Sequence, residues 1–349
     1  MKVREQGIVV GNLETGRKNC ITDIEGIMVG HVTLDYALDK QSAEYAATGI
    51  TAILPHGDNL FKNKVAAASY VINGFGKTAG LVQINELGLL ESPIMLTNTF
   101  AVPAVTQGTL EYMLEKNLEI GESTGTINVV VGECNDSYLN SIRLFPIKSE
   151  HAIEAIRNAS SSNAEEGAVG AGKGMICFGY KGGIGSSSRT ISSERQTYTV
   201  GCLVLSNFGK KEDFQADKYI RTGPKETPHI KQPTDGSIII VLATDAPLSH
   251  RQLSRVAKRG GIGLGRTGSH FSNGSGDIVI AFSTAHKISH FTDGALETRK
   301  QIRDDHPLMN DLFAAAAESV EEAILNSMAQ AQPTLGRKGR TVEANPWFS

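Results

Sequence analysis

A glycine and a serine stand directly before a strongly apolar run, and this pair could do chemistry. The turn-forming residues 233–235 lead into Gly236 and Ser237, and the aliphatic run 238–242 follows at once. A hydroxyl therefore lies at the very start of a predicted buried strand. The pattern is also that of an ordinary turn ending in serine, because Gly and Ser are common turn residues. The other interpretation is a self-cleaving junction.

Self-cleavage at this junction has a simple chemical course. The Ser237 hydroxyl attacks the carbonyl carbon of Gly236, the acyl group moves from nitrogen to oxygen, and water hydrolyses the ester. Glycine suits the position because it tolerates strained dihedrals and leaves its carbonyl accessible. The cut would free an α-amine on Ser237. Because the ordinary pKa of an α-amine is about 7.7 to 8.0, that amine could act as base for its own hydroxyl.

Motifs along the whole chain resemble the family of L-aminopeptidase D-Ala-esterase/amidases and β-peptidyl aminopeptidases. In chain order they are residues 19–23, 29–33, 51–55, 97–99, 167–172, 179–189, 236–248, 273–277 and 281–284. The resemblance implies one domain, cut into an α chain, 1–236, and a β chain, 237–349. It also implies an α/β fold, a four-layer αββα sandwich with two face-to-face sheets, similar but not identical in connectivity to N-terminal nucleophile hydrolases.

The same resemblance assigns roles to individual side chains. Ser237 would be both the agent of cleavage and the catalytic nucleophile. Asn207 would donate its amide to the oxyanion, and the hydroxyl of Tyr138 would lie near the substrate carbonyl. Ser275 and Asp277 would orient the new amine and shuttle its proton, although the family carries Glu where this chain has Asp277. Glu133 matches the acidic residue with which β-amino-acid-specific members hold the substrate ammonium.

Without the resemblance, these residues have ordinary interpretations as well. Asn207 would be a turn residue, Glu133 a solvated strand end, and 273–277 a plain turn. The i, i+2 spacing of Ser275 and Asp277 places both side chains on one face if the segment is extended.

We therefore predict an aminopeptidase that needs no cofactor or metal. It would form an acyl-enzyme on Ser237 and release an N-terminal L-α, D-Ala or β-amino acyl residue from short peptides, amides or esters. One alternative is a self-cleaving acyltransferase of the ornithine acetyltransferase type, which exposes a threonine instead. Another is a self-cleaved scaffold or binding protein without catalysis. The resemblance further implies a homotetramer of αβ units.

Composition argues against other classes of protein. Lys plus Arg number 34 and Asp plus Glu 37, without a long block of one sign, so nucleic acid is not an expected partner. The N-terminus lacks an apolar signal core and no apolar run could span a bilayer, so we expect a cytoplasmic protein without a membrane partner. Nine histidines show no metal-binding spacing. The four widely spaced cysteines predict reduced thiols.

Two glycine motifs imitate nucleotide-binding loops. Residues 167–174 fit a phosphate-binding loop except that Gly174 replaces the Ser or Thr that holds magnesium. Residues 263–268 satisfy GxGxxG, but they follow a predicted helix instead of a strand. Both are interpreted as glycine-rich turns packed against other backbone.

The elements that must position these residues follow from periodicity. Short aliphatic runs predict strands, and their unbroken apolar character predicts a sheet covered on both faces. A helix is predicted over 310–330, with Glu318, Glu321 and Glu322 on its surface. A second helix is predicted from an N-cap at Asp245 to about residue 259. The segment 206–236 is expected to be exposed and irregular. The predicted strands are 51–54, 94–97, 127–131, 175–178, 199–205, 237–243 and 277–282.

Overall fold

Strands dominate the computed structural model, which describes residues 1–39, 41, 43–193, 196–219, 236–291 and 294–348. The strands are β1 (Met28–Ala37), β2 (Tyr45–Leu54), β3 (Asn63–Gly74), β4 (Leu89–Leu90), β5 (Ile94–Asn98), β6 (Val130–Cys134), β7 (Ile176–Cys177), β8 (Tyr180–Lys181), β9 (Gly183–Ser192), β10 (Thr197–Asn207), β11 (Ser237–Thr244), β12 (Gly276–Ser289), β13 (Thr334–Leu335) and β14 (Thr341–Val342). The α-helices are α1 (Leu81–Leu87), α2 (Val102–Lys116), α3 (Ser149–Arg157), α4 (Ala216–Tyr219), α5 (His250–Thr267) and α6 (Leu308–Ala329).

The longer strands form two sheets. One has the order β1-β2-β5-β6, and the other has the order β4-β3-β12-β11-β10-β9. Two neighbouring pairs are parallel, β5 with β6 and β11 with β12, and a helix connects the strands of each pair. The remaining neighbours in both sheets are antiparallel. The connections therefore leave β11 and β12 in the middle of the larger sheet.

Helices cover the outer face of each sheet. Helices α2 and α3 pack on the four-stranded sheet, and α5 and α6 pack on the six-stranded sheet. The two inner faces bury a shared core between the sheets. The predicted four-layer α/β sandwich is confirmed. No helix among the described residues has both the length and the apolar character needed to span a membrane, and the four cysteines are buried and free.

Strand β11 shows why the sheet is built from unbroken apolar runs. Ile239 and Val241 enter the core between the sheets, whereas Ile238, Ile240 and Leu242 enter the core beneath α5 and α6. Each fully buried side chain of this size contributes roughly 1.5 to 3 kcal/mol. Because side chains alternate along a strand, the first residue of β11 has the same orientation as Ile239. Burial on both faces therefore holds this strand end in place.

Helix α6 is close to its predicted bounds, but the prediction of its acidic face was wrong. Glu318 and Glu322 are buried, and they accept from the fully buried Arg189 at 3.1 Å from Nε and 2.7 Å from Nη2. Glu321 is also buried and pairs with Lys218 and with a second cation, Arg266. Strand β9 and the chain around α4 cover this side of the helix, so the charges are paired inside the protein instead of solvated.

Helix α5 begins later and ends later than predicted. Its N-cap is Ser249, and Asp245 instead accepts a hydrogen bond from Thr199 N at 2.7 Å. The helix continues through its glycines to residue 267. A Cβ on Gly263 would lie 2.5 Å from the carbonyl oxygen of Ala317. The GxGxxG pattern therefore reflects the close approach of α5 to α6.

The other glycine-rich motif is also packed backbone. Residues Gly170–Gly174 form a buried 3-10 helix. A Cβ on Gly172 would lie 2.5 Å from Ile184 N, and one on Gly174 would lie 2.3 Å from Ala47 O. The glycines therefore allow two pieces of main chain to touch.

The segment after β10 is more ordered than expected. Strand β10 extends to Asn207, with Ser206 and Asn207 both buried. A 3-10 helix, Lys211–Asp213, and then α4 follow. The expectation of an irregular segment is therefore wrong for most of 206–219. The expectation of exposure is wrong for 206–208 and for Phe214, whereas the 3-10 helix and α4 contain no buried residue. Residues 220–235, including the turn-forming cluster 233–235, lie outside the described residues.

Candidate active site

Several strand ends meet at one edge of the molecule, and Ser237 lies among them. It is the first residue of β11 and pairs in register with Asn207, the last residue of β10. Strand β12 begins beside it, since Ile238 pairs with Asp277. The Oγ of Ser237 is buried and accepts a hydrogen bond from Gly276 N at 3.1 Å. The hydroxyl is therefore held at the edge of the central strand pair.

Gly236 fits this place only because it has no side chain. An added Cβ would lie 1.9 Å from the carbonyl oxygen of Asn207 and 2.8 Å from Phe208 Cα. Real Cβ contacts of this length essentially do not occur. The main chain that leads into the bond between Gly236 and Ser237 is thus packed directly against the end of β10.

The amide of Asn207 is fixed by two main-chain groups. Its Oδ1 accepts from Ile176 N at 2.9 Å, and its Nδ2 donates to Asn135 O at 3.0 Å. One partner is a donor and the other an acceptor, so only one orientation of the amide satisfies both. An amide nitrogen carries two hydrogens, and the bond to Asn135 uses one. Asn207 therefore has a second N–H to offer beside Ser237.

Ser275 and Asp277 form a hydroxyl–carboxylate pair next to the serine. Ser275 Oγ donates to Asp277 Oδ1 at 2.6 Å, and the amide between them donates to Ser237 Oγ. Burial raises the pKa of Asp277 to about 6, against the opposing effects of the bond from Ser275 and of the main chain at Ile238. Within the part of the chain that the structure describes, Asp277 Oδ2 is buried without a hydrogen-bond partner. A buried carboxyl with a raised pKa thus lies beside Ser237.

Glu133 is buried near the end of β6 and is not the solvated residue that the pattern alone suggests. Its Oε1 accepts from Lys77 N at 2.8 Å, and Oε2 accepts from the hydroxyl of Thr99. A Cβ on Gly76 would lie 3.6 Å from Glu133 Oε1 and 3.8 Å from Gly276 Cα. A single glycine therefore separates this carboxylate from the segment that binds the Ser237 hydroxyl.

Tyr138 has its contacts further along the same edge. Its ring packs with the small buried cluster of Ala47, Leu139 and Val342, and the guanidinium of Arg340 lies 4.6 Å from the ring centre. Arg340 also donates to the carbonyl oxygen of Tyr138 at 2.9 Å. The structure thus brings five of the predicted residues together: Ser237, Asn207, Ser275, Asp277 and Glu133. The ring of Tyr138 instead contacts the cluster of Ala47, Leu139 and Val342.

Some groups at the site could not be found from the sequence. Lys77 and Ile176 contribute only main-chain N–H groups, which carry no side-chain signal. Asp136 is buried, it accepts from Asn140 Nδ2 at 2.9 Å, and burial raises its pKa to about 7. Thr99 could have been found, because it directly follows β5, which is parallel to β6 and ends at the same edge.

A serine hydroxyl beside an amide and a hydroxyl–carboxylate pair is an arrangement typical of hydrolases with a serine nucleophile. Comparison with known proteins agrees with this class. The chain belongs to peptidase family S58, whose family profile matches residues 19–342. The predicted family is therefore confirmed, and so is the prediction of a hydrolase.

Curated relatives cover almost the whole chain. Beta-peptidyl aminopeptidase BapA of Sphingosinicella microcystinivorans is 36% identical over 99% of this chain and 89% of its own. The protein of the same name from Sphingosinicella xenopeptidilytica is 36% identical over 95% of this chain and 85% of its own. Neither name supports the acyltransferase or the scaffold alternative.

Solved structures extend the similarity to the fold. The PH0078 protein from Pyrococcus horikoshii OT3 matches with a TM-score of 0.90 and 47% identity, over 99% of this chain and 96% of that one. A Burkholderia sp. beta-aminopeptidase matches with a TM-score of 0.89 and 35% identity, over 99% and 95%. The L-aminopeptidase D-Ala-esterase/amidase from Ochrobactrum anthropi matches with a TM-score of 0.89 and 32% identity, over 99% of this chain and 95% of that one. It is described as a prototype for the serine aminopeptidases and as a new variant among the Ntn hydrolase fold.

Proposed function

We propose that the protein cuts its own chain between Gly236 and Ser237 and then acts as an N-terminal serine aminopeptidase. The observation that carries the proposal is the position of Ser237. It is the first residue of a buried central strand, and its hydroxyl lies between the end of β10 and the Ser275–Asp277 pair. The products of the cut would be an α chain, 1–236, and a β chain, 237–349.

Self-cleavage would proceed through an ester. Ser237 Oγ adds to the Gly236 carbonyl carbon, its proton passes to the departing amide nitrogen, and the C–N bond breaks. Water then hydrolyses the ester, which leaves a carboxylate on Gly236 and an α-amine on Ser237. The pressed Gly236 peptide and the fixed Asn207 amide support this step, because both favour one attack geometry.

Substrate hydrolysis would use the same groups a second time. The α-amine takes the Ser237 hydroxyl proton, Oγ attacks the substrate carbonyl, and the proton passes to the leaving amine or alcohol. The second N–H of Asn207 would stabilise the oxyanion, and such a donor is worth roughly 3 to 4 kcal/mol in other hydrolases. We assign Tyr138 to the same oxyanion on the family resemblance, and Ser275 with Asp277 to the orientation of the amine.

Glu133 would hold the ammonium group of the substrate. The carboxylate is buried, and charge pairing in such a place is stronger than in water. The substrates would be short peptides, amides and esters with a free N-terminal amine, of the L-α, D-Ala or β-amino acyl classes. The two BapA relatives, named beta-peptidyl aminopeptidases, support the β-amino acyl class.

The assembly that we propose is a homotetramer of cleaved units in the cytoplasm. The family resemblance is its support, and light scattering on the purified protein would measure the assembly.

Mass spectrometry tests the proposed function directly. Purified protein should contain a chain of residues 237–349, about 12 kDa at the mean residue mass of this protein, that begins with Ser237. Ser237→Ala should remain one uncut chain of 349 residues without activity on alanyl, β-alanyl or D-alanyl amides. Ser254→Ala, a change on α5 away from the strand ends, is the matched control and should be cut and active. Full-length protein that still hydrolyses amides would end the proposal.

A further inference from the structure

Lys181 is a lysine whose side chain is fully buried. Its side chain is 0% exposed, and none of the ion pairs among the described residues includes it. Instead, Nζ donates to three carbonyl oxygens, those of Gly172 at 2.9 Å, Met175 at 2.6 Å and Gly182 at 2.7 Å. Apart from the longer-range attraction of Asp136, main chain alone holds this buried charge, which is costly, so its retention calls for an explanation.

The three acceptors indicate the charged form of Lys181. Burial lowers the pKa of this amine well below its usual range, and Lys173 nearby acts in the same direction, whereas Cys177 and Asp136 act in the opposite direction. A neutral amine, however, has only two hydrogens, whereas three donations at these distances need an ammonium. The contacts therefore place the positively charged Nζ of Lys181 next to Met175 O.

A tight hairpin places this charge next to the oxyanion donor. Phe178 and Gly179 both have left-handed backbone, with φ of 48° and 72°, which is typical of a two-residue type I′ turn. The turn pairs Ile176 directly with Lys181. The Met175 carbonyl and the Ile176 N–H belong to one peptide group, and that N–H donates to Asn207 Oδ1.

We propose that Lys181 is a positioning residue that polarises the oxyanion donor through this peptide group. The ammonium draws electron density toward Met175 O, which makes the Ile176 N–H a stronger donor to Asn207 Oδ1. The Asn207 amide is polarised in turn, and its Nδ2 hydrogens become better donors. Consecutive hydrogen bonds strengthen one another in this way in a water-poor interior. The inference rests on the proposed function, because Asn207 is the last member of the relay.

A double-mutant cycle tests the relay. The variants are Lys181→Gln, which removes the charge, Asn207→Ala, and the two combined. The readouts are the first-order rate of self-cleavage of newly translated full-length chain, and kcat and KM of whatever enzyme becomes cleaved. Lys181→Arg, which keeps the charge, should restore much of the loss. Lys18→Gln is the matched control, because Lys18 also donates to main-chain carbonyls, of Thr22 and Ser161, away from the strand ends and with no ion pair among the described residues.

The expected results are specific. Asn207→Ala should slow self-cleavage roughly 10²- to 10³-fold. Lys181→Gln should slow it roughly fivefold to tenfold and lower kcat with KM unchanged, because a charged donor is replaced by a neutral one. In the Asn207→Ala background, Lys181→Gln should change the rate by less than about twofold, since the relay has lost its end. Lys18→Gln should leave the rates unchanged.

Each other outcome contradicts a different statement. An equal loss from Lys181→Gln in both backgrounds, or no loss in either, overturns the relay and leaves the function of Asn207 intact. An Asn207→Ala chain that cleaves at the normal rate overturns the proposed oxyanion role itself.

If Lys181→Gln does not fold, Ile176→Pro removes the Ile176 N–H, the middle donor of the relay, instead. Met175, with φ −87° and ψ 148°, already has the backbone that precedes proline. Ile176→Pro should then slow self-cleavage at least as much as predicted for Lys181→Gln, and an unchanged rate overturns the relay.

Discussion

Replacement of Gly236 by alanine changes one methyl group at the bond that we propose to be cut. The new Cβ would lie 1.9 Å from Asn207 O, 2.8 Å from Asn207 C and 2.8 Å from Phe208 Cα. All three are main-chain atoms at the end of β10, so no side chain can turn away to make room. The peptide or the strand end must therefore shift.

The size of the shift sets the size of the effect. Separating the Cβ from Asn207 O to 3.0 Å, the lower limit of real contacts, takes a movement of at least about 1 Å. A misplacement of about 1 Å between reacting groups can cost roughly a hundredfold in rate. Because Asn207 is also the proposed oxyanion donor, the same movement displaces both the attacked carbonyl and the group that stabilises it. We expect Gly236→Ala to cleave itself at least roughly a hundredfold more slowly.

Cell-free translation followed by electrophoresis and intact mass measurement gives the half-time of cleavage. The matched control is Gly125→Ala, since a Cβ at Gly125 meets nothing within 4 Å. Thermal unfolding of the uncut Gly236→Ala chain should remain cooperative, which separates slow chemistry from misfolding. Cleavage of Gly236→Ala at the wild-type rate, with the same fragments, would refute the steric reasoning.

Two further predictions concern the carboxylates. Asp277 is protonated below its pKa of about 6 and ionised above it, so kcat/KM for amide hydrolysis by the cleaved enzyme should fall as pH falls through about 6, because the protonated carboxyl no longer accepts a proton from the Ser237 amine. Asp277→Asn should remove the limb near pH 6 and lower kcat/KM roughly a hundredfold at pH 8, and a pH profile unchanged by the substitution would contradict this role. Glu133→Gln should raise KM for a β-alanyl amide roughly tenfold or more, while self-cleavage, which involves no substrate ammonium, keeps its wild-type rate. An unaltered KM in steady-state kinetics would show that Glu133 does not bind the amine.

Much of the strand layout could be predicted, because aliphatic runs record burial directly. The run that begins at Ser237 was placed correctly, and its unbroken apolar character led to the two covered faces that the fold shows. Strands β1, β3 and β9 were missed. Strand β9 contains Ser186, Ser187 and Ser188, which suggest a loop. All three are buried, and the hydroxyls of Ser186 and Ser187 donate to main-chain carbonyls of neighbouring elements.

Charged residues mark the limit of prediction from periodicity. Glu318 and Glu322 lie off the apolar stripe of α6, yet their partner Arg189 is more than a hundred residues away in the chain. Lys181 is harder still, because its partners are carbonyl groups that every residue possesses. Hydrophobic spacing reports which side of a helix avoids water, and it carries no information on where a distant counter-charge will meet the other side.

The order of strands in the larger sheet bears on how the enzyme would survive denaturation. Strands β11 and β12 belong to the segment that begins at Ser237, and they are flanked by β3 and β10, which both precede it. Before the proposed cut, refolding is a first-order event within one polypeptide. Afterwards, two separate coils must find each other and interleave, so recovery would depend on protein concentration and compete with aggregation. The lifetime of the mature enzyme would then be governed by its unfolding rate.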